Sequence, residues 1–139
     1  MATTITIEQW RDQLARMVRT GAIKKGLQVA ADTLAMVGQG RAVRHATDLP
    51  GRPRGLGRIT GALARSLAGE VEARPRSVDV VLSSGGKSGF GAVPYAHRHE
   101  EGTHGTRKRP FLQPALEHIA TKADRVISDE IARVLERGR

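Results

Sequence analysis

The chain has 139 residues, the length of a single domain spanning 1–139, and no cysteine, so it has neither a disulfide framework nor a thiolate metal site. Lys and Arg number 23 against 14 Asp and Glu, a net charge of +9, which favours polyanions or acidic protein surfaces as partners. No segment approaches the roughly 20 apolar residues of a membrane span, and the first residues lack the basic start and apolar run of an export signal, so the expectation is a soluble, unexported protein.

Thr6 followed by Gln9 is a capping-box pattern, with Ile5 and Trp10 placed as a hydrophobic staple, and it predicts a helix starting there. Trp10, Leu14, Met17 and Val18 continue at helical spacing. After a break at Gly21 the spacing resumes through Ile23, Leu27, Ala30, Ala31 and Leu34, and Gly38 and Gly40 end it. Residues 41–58 are rich in Gly, Pro and Arg and read as a long mobile loop. The stretch 41–76 concentrates the basic excess: Arg41, Arg44, Arg52, Arg54, Arg58, Arg65, Arg74 and Arg76 face only Asp48, Glu70 and Glu72. Among them Arg41, Arg44, Arg52, Arg54 and Arg58 are the candidates for contact with nucleic-acid phosphates or a partner.

Thr60 can cap a short helix that turns Leu63 and Leu67 to one side and stops at Gly69. The period then changes to two. Val71 and Ala73, then Val78, Val80 and Leu82, alternate with polar residues as in strands with one buried face, and Pro75 sits between them in a turn. A glycine-rich connection follows, and residues 92–95 read as a third short strand. From Pro114, placed in a first helical turn, the positions Leu116, Ile119, Ala123, Val126, Ile127, Ile131, Val134 and Leu135 keep one helical face. A small antiparallel sheet cannot stand alone and should pack on this helix and the N-terminal one, an α+β architecture with a long basic loop.

Residues 95–116, YAHRHEEGTHGTRKRPFLQPAL, carry the densest local signals. Gly102 and Thr103 close a short polar turn, and Gly102 reads as a left-handed position. The order Tyr95, Ala96, Glu100, Gly102 and Thr103, then Arg109, Pro110, Phe111, Leu112, Pro114, Ala115 and Leu116, resembles the neck and tail-completion (minor tail component) family of long-tailed bacteriophages. Thr60, Gly61, Ala62, Leu63 and Ser66 match a further element of the same family upstream. His99 and Glu101 stand where the family usually has apolar residues, and Gln113 where it often has a basic one.

The resemblance implies a non-enzymatic virion protein that forms a ring, a hexamer in such families, at the head-to-tail junction around the DNA passage. Its implied partners are further copies of itself, the connector or stopper and tail-tube proteins, and loosely the phage DNA, with no cofactor and no membrane. It implies synthesis in the host cytoplasm and a final place in the virion, at the head-to-tail junction. The 41–58 loop, the glycine-rich hairpin and the turn at residues 95–103 are the expected ring contacts, because the helical faces are needed for the core.

Enzymatic readings fare worse. His97, His99, Glu100, Glu101 and His104 are metal-ligand types, but HRHEEGTH lacks the HExxH spacing and reads better as a solvated turn. Gly86, Lys87 and Ser88 imitate the end of a phosphate-binding loop, yet Val81 occupies the place of its required first glycine. The alternatives are a small basic nucleic-acid-binding protein and, third, a metal-dependent nuclease. With aromatic residues limited to Trp10, Phe90, Tyr95 and Phe111, stacking on single strands is disfavoured.

Overall fold

The structure is a computed structural model that describes residues 6–47, 62–85, 93, 95–103, 105, 108 and 110–137. It is an α+β fold. Helices α1 (Ile7–Arg19), α2 (Ala22–Thr47) and α3 (Ala62–Ser66) lead into strands β1 (Leu67–Ala73) and β2 (Val78–Ser84). Helices α4 (Ala96–Glu101) and α5 (Leu112–Arg137) follow. The strands form an antiparallel hairpin running from Leu67 opposite Ser84 to Ala73 opposite Val78.

The N-terminal capping box forms as the sequence predicts: Gln9 N donates to Thr6 Oγ1 at 3.2 Å, and Thr6 N donates to Gln9 Oε1 at 3.0 Å. Ile5 of the expected staple lies outside the described residues, and Trp10 is 47% exposed. Gly21, at φ +67°, makes the break between α1 and α2.

The predicted stop at Gly38 and Gly40 is corrected. α2 runs through both glycines to Thr47, so residues 41–47 are helical and not loop, while 48–58 lie outside the described residues. Gly26, Ala30, Ala31, Leu34, Ala35, Gly38, Ala42 and Ala46 form the buried face of α2, a stripe of mostly small residues that lets neighbouring elements approach closely. A Cβ on Gly26 would lie 2.8 Å from Val134 Cγ2, and one on Gly38 would lie 3.0 Å from Leu82 and 3.3 Å from Ile119. These contacts set α5 antiparallel to α2 and bring β2 to the same point. Helix continuity here is maintained by packing that outweighs the ~1 kcal/mol per glycine lost in propensity.

α2 also crosses β1 at contact distance. A Cβ on Gly69 would lie 2.3 Å from Ala35 O, so this strand position admits only glycine, and Gly69 continues β1 where the sequence suggested a helix stop. Beside it the Gln39 amide imitates a neighbouring strand: its Nε2 donates to Leu67 O at 3.1 Å and its Oε1 accepts from Gly69 N at 3.2 Å. That satisfies two backbone groups on the free edge of β1.

Three further expectations are revised. The hairpin does not alternate buried and exposed positions: Leu67 and Ala68 are both buried at its root, and Glu72 and Ala73 are both exposed near its tip. Val93 and Tyr95, the described residues of the expected third strand, are not in a strand. The first turn of α5 buries Ala115 and not Leu116, which is 37% exposed, because Ala115 and Ile119 are the positions facing α2.

Candidate functional site

The motif-bearing segments, far apart in sequence, converge on one cluster. Ala42 and Ala46 of α2, Leu63 of α3, Leu67 of β1, Ala96 of α4, and Phe111 and Ala115 at the start of α5 form a continuous core, with Tyr95, Val93, Leu82, Val43 and Leu112 packed around it. Leu63 and Phe111 are fully inaccessible. Ser66 is equally buried and its hydroxyl is satisfied: it donates to Leu63 O at 2.7 Å and shares a 2.7 Å hydrogen bond with Ser84 Oγ. Ser66 O also accepts from Gly85 N at 2.7 Å, which ties the end of β2 to the end of α3.

The expected turn at residues 95–103 is a short helix with a left-handed cap. α4 begins after Tyr95, whose ring meets the His99 ring edge-on at 5.9 Å between centroids. It ends at Gly102 with φ +73°, where Gly102 N and Thr103 N both donate to Arg98 O. A Cβ on Gly102 would also lie 2.8 Å from Lys108 Cβ and 3.0 Å from Lys108 N. Glycine is therefore required twice, by the backbone angle and by the chain passing beside it.

Glu100 holds the junction together. Its Oε2 accepts from Phe111 N at 2.8 Å and Leu112 N at 3.1 Å, and its Oε1 accepts from Gln113 N at 2.9 Å. An α-helix starts with four amides that no helical carbonyl can accept. In α5 these belong to Phe111, Leu112, Gln113 and Pro114, and Pro114 has no N–H. One carboxylate from α4 and one proline thus account for all four, and the negative charge sits at the positive end of the helix dipole. Phe111 cannot cap the helix with its own side chain. An apolar residue at the cap position, followed by a proline two residues into the helix, is the sequence signal that a cap must come from elsewhere.

Glu100 accepts from three backbone amides, and His97 Nε2 lies 3.4 Å from Glu101 Oε2, one helical turn away and exposed. Among the described residues no three His, Cys, Asp or Glu side chains converge as metal ligands. Pro110 and Thr103 are half-buried at the rim of the junction; Gly61, Arg52, Arg54 and Arg58 lie outside the described residues. Arg41 and Arg44 stand on the last turns of α2.

The opposite end of the molecule is open. The apolar stripe of α1 comprises Ile7, Trp10, Leu14, Met17 and Val18, of which only Met17 is buried; Ile7 is 89% and Val18 68% exposed. Met17 and Val18 continue into an apolar groove of about 420 Å³, walled by Leu27 and Leu34 of α2, Val78 and Val80 of β2 and Ile127 of α5. Lys24, Arg74 and Arg76 stand at its margin, Arg74 already paired with Asp79 at 2.9 Å. Among the described residues no helix is long and apolar enough to cross a membrane. No protein-family model, curated protein or solved structure matches the chain.

Proposed function

We propose that this chain is a non-enzymatic subunit of a long-tailed phage particle that assembles as a ring, a hexamer by family resemblance, at the head-to-tail junction. The observation that carries the reading is the uncovered α1 stripe running into the apolar groove, an association surface on a subunit whose motif residues are used to build its core. A closed ring needs two different complementary surfaces on each copy. The N-terminal half of α1 offers Ile7 and Trp10 flanked by Glu8 and Asp12, and the groove offers apolar walls with Lys24 and Arg76 at the margin. A second copy that seats the first half of α1 in this groove pairs apolar with apolar and acid with base. The basic excess then faces DNA within the passage.

The rival reading, a small basic DNA-binding protein that acts alone, draws on the same charge, and the two differ in state of assembly. Electron microscopy of particles carrying a labelled copy tests the leading reading: label at the head-to-tail junction is expected, and its absence from the particle would overturn the proposal.

A further inference from the structure

Next to the core cluster, the seam between α2 and α5 carries a concentration of positive charge. Arg41 and His45 lie one turn apart on α2, and His118 and Lys122 lie one turn apart on α5. Arg41, Arg44 and His118, with Met36, Val37 and Gly40, line a notch of about 260 Å³. No acidic side chain is among these lining residues. The notch is open above Gly40, where a Cβ would meet nothing within 4 Å. Arg41 Nε is buried and has no hydrogen-bond partner among the described residues, an arrangement that leaves a strong donor without an acceptor.

The two imidazoles report the same imbalance. His45 is held below its ordinary pKa by partial burial and then by the Arg41 charge. His118 is held down by partial burial, then by Arg41, Lys122 and His45. Arg41 lowers both and Lys122 lowers His118, so the seam gathers positive charge that a bound anion would relieve.

We propose that the α2–α5 notch is a contact site for the phosphate backbone of duplex DNA, with Arg41 and Arg44 as the phosphate-binding groups and His118 beside them. A guanidinium presents a planar fork of donors that matches two phosphate oxygens. Met36 and Val37 wall the notch with apolar groups, and the two arginines are its charged donors, which suits contact with the phosphate backbone, a contact that carries no sequence information directly. The proposal rests on the ring reading only for which DNA the site meets.

Fluorescence anisotropy of a labelled 24-base-pair duplex with the full chain, titrated over a series of salt concentrations, tests it. Arg41→Gln with Arg44→Gln is expected to weaken binding about tenfold or more at low salt and to lower the slope of log affinity against log salt by roughly one to two, as loss of one or two phosphate contacts requires. Gly40→Leu, which plugs the notch without changing charge, is expected to weaken binding several-fold in a protein of unchanged circular dichroism. Unchanged affinity and slope in both variants, or saturable binding of inorganic phosphate alone that the duplex does not displace, would overturn the site. Wild-type protein that forms rings and does not bind DNA would overturn the notch and leave the ring; salt-dependent DNA binding by a strictly monomeric protein, lost in the variants, would support the notch and overturn the ring.

Discussion

The two ends of this molecule treat apolar surface in opposite ways. At the α3–α4–α5 junction Phe111 and Leu63 are fully buried, Ser66 has two hydrogen-bond partners, and Glu100 occupies three backbone amides. At the α1 end a well-capped amphipathic helix leaves Ile7, Trp10 and Val18 in water beside an open groove. Monomeric domains seldom leave a contiguous apolar surface of that kind without use for it. The contrast sets a packed junction against an exposed apolar face, and on the ring proposal the second is the association surface.

If the junction is what folds the chain, damage there should be large and global. Phe111→Ala removes the largest fully buried side chain and is expected to cost about 3–5 kcal/mol in urea denaturation. Gly102→Val forces a left-handed β-branched residue against Lys108 and should cost about 1–3 kcal/mol from backbone strain, more if the Lys108 backbone cannot give way. Glu100→Gln keeps the shape but loses the charge and one of the two acceptor oxygens, turning an NH2 donor toward at least one backbone amide, and a cost of about 1–2 kcal/mol or more is expected. A Glu100→Gln protein as stable as wild type would show that α5 does not depend on the clamp.

A smaller effect separates the junction from the basic seam beside it. His45 and His118 have folded-state pKa values below 6.5, so in the window just below 6.5 the unfolded chain binds more protons than the folded one. Their contribution to stability is therefore complete above that window and is lost as pH falls through 6.5 toward the lowered values. Wild type should lose more stability between pH 7.5 and 5.5 than His45→Gln with His118→Gln, as read from urea midpoints at both pH values. Equal losses would mean that the imidazoles do not feel the positive seam.

The contrast between the ends also explains which features could be read from the sequence. The Thr6 cap, the Gly21 break, the strand pair around Pro75, the left-handed Gly102 and the long α5 rest on local rules and are found, although the hairpin lacks the predicted alternation and α5 starts at Leu112. The continuation of α2 was hidden because its face at Gly38, Ala42 and Ala46 carries almost no hydrophobic signal; close approach to Leu82 and Ile119 holds it, and that is a tertiary property. The role of Glu100 was hidden because the cap and the helix it closes are 11 to 13 residues apart. The exposure of α1 could not be read at all, since periodicity identifies an apolar face without saying what covers it. The convergence of Arg41, His45, His118 and Lys122 depends on the antiparallel register of two helices far apart in the chain.

The central claim, that one end folds and the other associates, is tested most directly by the mass of the particle in solution. Sedimentation equilibrium on wild type and on Trp10→Asp with Val18→Asp, with circular dichroism on both, measures association and folding separately. Wild type is expected to exceed the 15.0 kDa monomer and approach a closed oligomer with rising concentration, and the double variant to remain a folded monomer. A wild type that stays monomeric throughout, or a folded double variant that assembles as wild type does, would contradict the account.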